Sequence, residues 1–329
     1  MWITKSLDTV LTPTAVALGN FDGIHRGHRQ VIQPVLDLVP PCDCQSDGPL
    51  ARPIDRQLSM NAPRPLATVV TFSPHPQDFF TGQPRSLLTP YFEKVKQLRT
   101  IDVEQLILLP FDQELARLTP QEFVENILVQ RLQAQQVSVG QDFLFGHKRM
   151  GNAVDLQAIA ASFGIAVTIV PLETFQGHRI SSSAIRQAIQ TGDLPAAERM
   201  LGRPYSLVGQ VVMGQQVGRT IGFPTANLQL PANKCIPRAG VYSVRVALPA
   251  AGRLLLGVMN IGYRPTVNGS TQTIEVHLLD WAGDLYGQTL TVELVQFIRP
   301  EQKFADLAAL QAQITLDCTT AKAMLVAAS

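Results

Sequence analysis

The chain has 329 residues, enough for about two domains of roughly 100–200 residues, each with its own buried core. Hydrophobic residues make up 46% and charged residues 16%, a balance that excludes an intrinsically disordered chain. The chain has 27 Lys and Arg and 26 Asp and Glu, so its net charge is +1. It therefore has no large excess of positive charge that would predict nucleic-acid binding. Any bound anion needs a local site.

The cysteines and apolar runs indicate the compartment. Cys42, Cys44, Cys235 and Cys318 lack paired CxxC spacing, which excludes a disulfide framework and a four-cysteine zinc site. The N-terminus lacks a basic segment followed by an apolar one, and no apolar run approaches the ~18 residues of a membrane span. We therefore expect a cytoplasmic protein with no membrane partner.

The first half alternates short apolar runs with helical patterns, which predicts βαβ units and a parallel sheet. The predicted strands are Thr14–Leu18, Ala67–Phe72, Gln105–Phe111, Val137–Val139 and Ala166–Val170. A capping box formed by Thr119, Pro120 and Glu122 predicts the start of one helix. Gly164 fits the position that follows another, near Asp155–Phe163.

Residues 40–65 interrupt this pattern. Prolines at 40, 41, 49, 53, 63 and 65 remove backbone hydrogen-bond donors, and the hydrophobic residues show no helical or strand periodicity. We interpret this stretch as a flexible surface insertion. The Cys42-Asp-Cys44 sequence inside it has no nearby His or third Cys, so a metal site is disfavoured there.

The second half reads as short strands separated by Gly, Pro and Asn turns, which predicts a small antiparallel β-barrel. The predicted strands are Ser206–Met213, Val241–Leu248, Leu254–Asn260, Thr273–Leu279 and Thr289–Phe297. A helical stretch, Ala184–Gln190, precedes them. After Pro300, a C-terminal helix is predicted with Phe304, Leu307, Leu310 and Ile314 on one face.

The segment ALGNFDGIHRGH, residues 17–28, follows the first predicted strand and leads into a helix. Strand ends of open α/β sheets bind ligands, and a helix N-terminus presents free N–H groups to phosphate. His25 and His28 face the same side in a helical first turn, and Gly27 leaves the backbone uncovered. Two imidazoles there can stabilise charge that develops at phosphorus. A pair of surface or capping histidines is the alternative.

Three further segments lie at predicted strand ends. ISSSAIR, residues 180–186, opens a helix, and its serines with Arg186 make a second phosphate cradle. Ordinary N-capping would explain the serines without requiring the arginine. The others are TFSPHP, residues 71–76, and the segment 140–149, which contains Asp142 and Phe143. His75 taken alone fits a turn residue better than a catalyst.

In this order the segments resemble the adenylyltransferase module of the bacterial bifunctional riboflavin kinase/FAD synthetases, and HRGH resembles the HxGH signature of nucleotidylyl transferases. The resemblance covers about residues 1–190 except the insertion. It implies a Rossmann-like fold and attack of the FMN phosphate on the α-phosphorus of ATP, giving FAD and pyrophosphate with Mg²⁺ at the leaving group.

The resemblance also implies roles for residues of this module. His25 and His28 would stabilise the transition state, and Asp142 and Phe143 would lie near the flavin. The residues implied for ATP are Gly19, Phe21, Asp22, Ser182, Ser183 and Arg186. Ser183 stands where the family often has threonine, a departure that keeps the hydroxyl.

A second glycine-rich segment, GQQVGRTIGFPTANL at residues 214–228, follows the first predicted barrel strand. Gly218 and Gly222 let N–H groups turn towards an anion, although no Walker A sequence occurs in the chain. Thr225 and Asn227 offer oxygen ligands of the kind Mg²⁺ prefers, on one side if the segment is extended. An Asx or ST turn is the alternative.

Glu275 lies on a predicted strand whose opposite face carries Ile274, Val276 and Leu278. A carboxylate in this position can accept a proton from an attacking hydroxyl. A solvated strand face is the alternative interpretation.

The segments GFPTAN, GVY, GVMNIG, RPTV, IEVH and FIR occur in an order that resembles the riboflavin kinase barrel, over about residues 204–329. The resemblance implies transfer of the γ-phosphate of ATP to riboflavin, with Glu275 as the base. It places Thr225 and Asn227 at Mg²⁺–ATP together with Gly218 and Gly222. Arg299 and Phe304 would lie near the flavin.

We therefore expect one chain that makes FAD from riboflavin with ATP in two steps. The expected domains are 1–190 for adenylyl transfer, a linker at 191–203, and 204–329 for the kinase. Two alternatives stay open: a single active module, or a flavin-binding carrier or sensor without turnover. A carrier has little use for the two histidines, Ser183 and Arg186 together.

Overall fold

The computed structural model describes residues 1–38, 64–214, 218, 221–248, 254–266 and 269–327. Packing divides the chain into two compact units, Met1–Arg85 with Lys94–Thr174 and Ser86–Glu93 with Phe175–Ser329. Residues 40–63 of the predicted insertion, with Cys42 and Cys44, lie outside the described residues. Within the described ranges, no helix is both long and apolar enough to cross a membrane.

The first unit is built on a six-stranded parallel sheet in the order β1-β4-β3-β2-β5-β8. Its strands are β1 (Trp2–Thr4), β2 (Thr14–Leu18), β3 (Leu66–Ser73), β4 (Gln105–Pro110), β5 (Ala134–Gly140) and β8 (Ala166–Val170). A separate small hairpin pairs β6 (Leu144–Phe145) with β7 (Gly151–Asn152). The predicted parallel sheet is confirmed; the sequence does not predict β1, because three residues are too few to show a period.

Helices pack on both faces of this sheet. Along β2, Val16 and Leu18 join one buried cluster while Ala15 and Ala17 join another, as alternating side chains must. The α-helices are α1 (Arg26–Asp37), α2 (Pro76–Thr81), α3 (Tyr91–Arg99), α4 (Gln113–Arg117), α5 (Pro120–Glu122) and α6 (Ala153–Ala161). This unit also contains the 3₁₀ turns Leu7–Thr9 and His147–Arg149 and the π-helix Phe123–Arg131, which continues α5.

Both helix-terminus predictions in this unit are confirmed. Thr119 caps α5 through a complete capping box with Glu122. Gly164 adopts φ +73°, the left-handed conformation that ends helices. Helix α6 begins earlier than the predicted Asp155, because Asn152 and Asp155 form a second capping box there.

The second unit contains a closed six-stranded antiparallel barrel in the order β11-β12-β15-β14-β13-β16. Its strands are β11 (Tyr205–Val212), β12 (Ala226–Gln229), β13 (Gly240–Ala247), β14 (Leu254–Thr266), β15 (Gly269–Leu278) and β16 (Thr289–Arg299). The other elements assigned after β8 are β9 (Thr174–Phe175), β10 (His178–Arg179), α7 (Ser182–Thr191), α8 (Leu194–Leu201) and α9 (Leu307–Ala327). The predicted barrel is confirmed, and the predicted linker at 191–203 contains α8.

The C-terminal helix α9 differs from its prediction at the start. Phe304 precedes the helix, because the Asp306 side chain accepts a hydrogen bond from the backbone N–H of Ala309 and caps it. The buried positions of α9 are Asp317, Ala321 and Leu325, whereas Leu307 is exposed. The face that packs on the barrel therefore lies further along the helix than the predicted apolar face.

The short segment Ser86–Glu93, which includes the first turn of α3, belongs to the second unit and packs there through a buried ion pair. Lys234 Nζ lies 2.5 Å from Glu93 Oε2 and donates to the carbonyl of Leu88 at 2.7 Å. Burial raises the pKa of Glu93, and the ammonium of Lys234 opposes that shift. Arg186 Nε on α7 donates to the carbonyl of Ser86 at 2.9 Å, so both ends of the segment are held.

Candidate active sites

The loop between β2 and α1 has an uncommon backbone. Phe21 has φ +46° and Ile24 has φ +43°, a left-handed conformation that costs bulky side chains roughly 1–3 kcal/mol each. Gly23, at φ +95°, adopts a left-handed conformation more easily. Both Phe21 and Ile24 are buried, so core packing holds the loop in this shape. Strain of this kind is concentrated at functional sites.

The structure brings His25 and His28 together at the N-terminus of α1. His25 caps the helix, since its Nδ1 accepts the backbone N–H of His28 at 3.2 Å. The two rings stack with centroids 3.5 Å apart and planes 15° apart, and Phe21 contacts the His28 ring edge-on. His25 thus has the capping role considered as the alternative, while both imidazoles lie on one side as predicted.

His75 is the N-cap of α2, and its Nδ1 accepts a hydrogen bond from the backbone N–H of Gln77 at 3.0 Å. Burial, followed by the positive charge of Arg85, lowers the pKa of His75 to about 4, so the ring is neutral at pH 7. A neutral capping imidazole agrees with the interpretation of His75 as a turn residue.

Asp142 and Phe143 follow β5, the strand that pairs with β2. They therefore lie at the same carboxyl end of the sheet as residues 19–25 between β2 and α1, called the histidine loop here. The backbone N–H of Phe143 donates to the carbonyl of Gly140 at 2.9 Å, which closes a turn. Phe143 stacks parallel on Phe145 with centroids 5.8 Å apart, and Asp142 is exposed. An aromatic ring and a carboxylate thus lie at this end of the sheet.

The serine cluster, residues 181–183, belongs to the second unit. Ser181 is the N-cap of α7, and its Oγ accepts the backbone N–H of Ala184 at 3.2 Å. Ser182 and Ser183 are the first two helix residues, and the Ser183 side chain is exposed. Capping therefore accounts for Ser181 and leaves Ser182 and Ser183 without that explanation.

On the barrel, Thr225 and Glu275 are brought together, with Thr225 Oγ1 donating to Glu275 Oε2 at 3.3 Å. Glu275 pairs in register with Asn227 on β12 and with Asn260 on β14. The opposite face of β15 carries the buried side chains Ile274, Val276 and Leu278, as predicted. Asn260 is a neighbour that sequence reasoning missed, because only the strand register places it beside Glu275.

At three described glycines near this site, a larger side chain would overlap a neighbour or strain the backbone. A Cβ on Gly214 would overlap the Asn227 amide, so that side chain packs directly on the glycine backbone. A Cβ on Gly218 would overlap the Phe223 carbonyl, and Gly222 adopts φ +86°. The loop residues 215–217, 219 and 220 lie outside the described part of the chain.

Arg299 and Phe304 are also brought together, with the guanidinium 5.8 Å from the centre of the phenyl ring. Arg299 forms a two-pronged ion pair with Asp317 of α9, with Nε at 2.9 Å from Oδ1 and Nη2 at 2.7 Å from Oδ2. Gln313 donates to the same carboxylate at 2.9 Å. The signal that could have revealed Asp317 is a carboxylate on the same helical stripe as Ala321 and Leu325.

Comparisons with known proteins agree with this division. A family model described as FAD synthetase matches residues 8–40 and 55–184, and one described as riboflavin kinase matches residues 201–325. A bifunctional riboflavin kinase/FMN adenylyltransferase of Escherichia coli K12 is 41% identical over 93% of this chain and 91% of its own length. The Haemophilus influenzae protein of that name is 39% identical over 95% of both chains.

A solved structure from Streptococcus pneumoniae, described as a macrolide-efflux protein, has a TM-score of 0.79 at 30% identity. It covers 97% of this chain and 98% of that one, so the fold is shared over nearly the whole length. Together with the two family models and the curated relatives, these findings show that the chain belongs to the bifunctional riboflavin kinase/FMN adenylyltransferase family.

Proposed function

We propose that this chain phosphorylates riboflavin to FMN on the barrel and adenylylates FMN to FAD with the N-terminal module, using ATP in both steps. The observation that carries the proposal is the presence of two different side-chain arrangements: a histidine pair at a helix N-terminus, and a barrel carboxylate that accepts a hydrogen bond from Thr225. Each falls within a stretch matched by its own family model. A carrier without turnover would need neither.

For adenylyl transfer, an oxygen of the FMN phosphate attacks the α-phosphorus of ATP and the bond to pyrophosphate breaks. Because His25 Nδ1 accepts a hydrogen bond, the proton of the neutral ring lies on Nε2, which makes that atom a donor. We assign His25 and His28 to stabilising the charge on the phosphoryl oxygens. Gly19, Phe21, Asp22, Ser182, Ser183 and Arg186 are assigned to ATP, and Asp142 and Phe143 to the flavin.

For phosphorylation, Glu275 takes the proton of the riboflavin 5′-hydroxyl as its oxygen attacks the γ-phosphorus and ADP leaves. Thr225 holds the Glu275 carboxylate through its hydroxyl. The Gly218 and Gly222 turn is assigned to ATP phosphates, and Arg299 with Phe304 to the flavin.

The oxygen donors at this site fit Mg²⁺. Thr225 and Asn227 supply neutral side-chain oxygens beside the Glu275 carboxylate, which are hard ligands. Among the described residues no cluster of three or more His, Cys, Asp or Glu could hold a metal by itself, so phosphate oxygens would complete the coordination. Bound there with ATP, Mg²⁺ would neutralise charge on the β- and γ-phosphates.

The module limits remain those of the sequence prediction: 1–190 for adenylyl transfer, 191–203 as linker and 204–329 for the kinase. We also place the protein in the cytoplasm, a proposal supported by the spacing of its cysteines, which predicts no disulfide framework. Riboflavin, FMN and ATP are the proposed substrates. We propose no nucleic-acid partner.

The direct test is to incubate the purified chain with riboflavin, ATP and Mg²⁺ and to separate the flavins by chromatography over time. We expect FMN to appear first and FAD to follow. A parallel reaction started from FMN tests adenylyl transfer separately. A folded chain that forms neither product from either substrate would support the carrier alternative and contradict the proposal.

A sharper prediction concerns the ion pair between Arg299 and Asp317. Asp317→Asn leaves one acceptor for a guanidinium that now has a two-pronged partner, so Arg299 loses its fixed orientation beside Phe304. We expect the KM for riboflavin to rise about tenfold, the equivalent of about 1.4 kcal/mol, with kcat changed less. Steady-state kinetics with varied riboflavin measures this.

The matched control for this variant is Asp280→Asn. Asp280 also pairs with α9, through Lys322 at 2.7 Å, but the pair is exposed and contributes little. Asp280→Asn should leave the KM unchanged. A lower unfolding temperature in Asp317→Asn with an unaltered KM would mean that Asp317 only anchors the helix.

A further inference from the structure

Lys94, on α3, closes a hydrogen-bonded triangle below the histidine loop. Its Nζ donates to the carbonyl of Asn20 at 2.9 Å and to Thr71 Oγ1 at 3.3 Å. Thr71 Oγ1 donates in turn to the Asn20 carbonyl at 2.9 Å. Three separate elements of the first unit, α3, β3 and the loop after β2, therefore meet at one carbonyl oxygen.

That carbonyl lies where the loop needs support. Asn20 directly precedes Phe21, the first of the two bulky residues with positive φ, and the loop reaches His25 five positions further on. A strained backbone persists only when surrounding contacts over-determine it. The bond from Lys94 is such a contact, and it acts on backbone rather than on a replaceable side chain.

The charge of Lys94 has a partner in the same loop. Asp22 is buried, and its carboxylate attracts the Lys94 ammonium. Burial lowers the pKa of Lys94 to about 8, and Asp22 opposes that shift. Among the described residues His75 also interacts with Lys94, and the His75 ring is neutral at pH 7 because its own pKa is about 4. The ammonium is therefore present at pH 7 and lost above about pH 8.

We propose that Lys94 is a positioning residue for adenylyl transfer: its ammonium holds Asn20 and Asp22 so that the loop presents His25 and His28 to the phosphate of ATP. The inference rests on the proposed function of the N-terminal module. Lys94 touches loop backbone rather than reacting atoms, so its effect passes through the geometry of the histidine pair.

The test compares Lys94→Met, Lys94→Arg and wild type, with Arg99→Met as the control for an exposed cation on the same helix. We expect Lys94→Met to lower the kcat of FMN adenylylation about 10²-fold, the usual cost of a displacement of about 1 Å in a catalytic site. Riboflavin phosphorylation by the same sample should not change, which shows that the barrel unit is folded. Arg99→Met should leave both activities unchanged.

The pH profile separates positioning by charge from simple packing. In wild type, adenylyl transfer should fall as pH rises through about 8, because the ammonium deprotonates. In Lys94→Arg this alkaline decline should disappear, since guanidinium stays protonated. Identical profiles for the two proteins, or adenylyl transfer by Lys94→Met within twofold of wild type, would overturn the proposal.

Amide hydrogen exchange keeps this test distinct from that of the proposed function. If wild type itself makes no FAD, the assigned activity of the module is wrong, and exchange over residues 19–25 tests the loop contact directly. Faster exchange there in Lys94→Met, with the barrel unchanged, supports the positioning role. Unchanged exchange over residues 19–25 contradicts it.

Discussion

Glu275→Gln is expected to lose riboflavin phosphorylation while the same protein still converts supplied FMN to FAD. The amide keeps the size of the side chain and an oxygen that can accept from Thr225 Oγ1, so the barrel should remain intact. It cannot take the proton of the 5′-hydroxyl, and loss of a general base lowers kcat by about 10²- to 10⁴-fold. Initial rates of FMN formation, measured at saturating ATP, give the effect.

The control for this variant is Glu293→Gln, which removes a half-buried carboxylate from β16 of the same barrel. Its phosphorylation rate should match wild type. If Glu275→Gln kept its kcat and showed only a higher KM, Glu275 would bind substrate rather than accept a proton. If it lost adenylyl transfer as well while folded, the two sites would not be independent.

The fold can be predicted from the sequence where a local residue pattern determines it. The alternation around Glu275 predicts which side chains of β15 are buried, because strand geometry sends neighbours to opposite faces. The His25–His28 spacing likewise predicts that both rings share one side of α1. These are interactions over a few residues, and sequence shows them directly.

Other parts of the sites depend on contacts between distant residues. Lys94 is 74 positions from Asn20, and no periodicity in α3 indicates that its ammonium reaches that carbonyl. Asn260 lies beside Glu275 only because β14 and β15 pair in that register.

The error in the predicted start of α9 has a local cause. The apolar spacing includes Phe304, but the helix begins later because the Asp306 side chain caps its first turn.

His28→Ala is expected to lose adenylyl transfer and to keep riboflavin phosphorylation. The contact that caps α1 uses the backbone N–H of residue 28, which alanine retains, so the helix start should persist. The variant removes the ring stacked on His25, and the loss of one such donor lowers kcat by about 10²- to 10³-fold. FAD formation from supplied FMN measures this directly.

Mixing His28→Ala with Glu275→Gln completes the argument for two separate sites. From riboflavin, the first protein should stop at FMN and the second should make nothing. Together they should form FAD, because FMN released by one kinase barrel can be adenylylated by the intact N-terminal module of the other. Absence of FAD from the mixture, although each protein keeps its remaining activity, would mean that FMN does not leave the chain on which it is made.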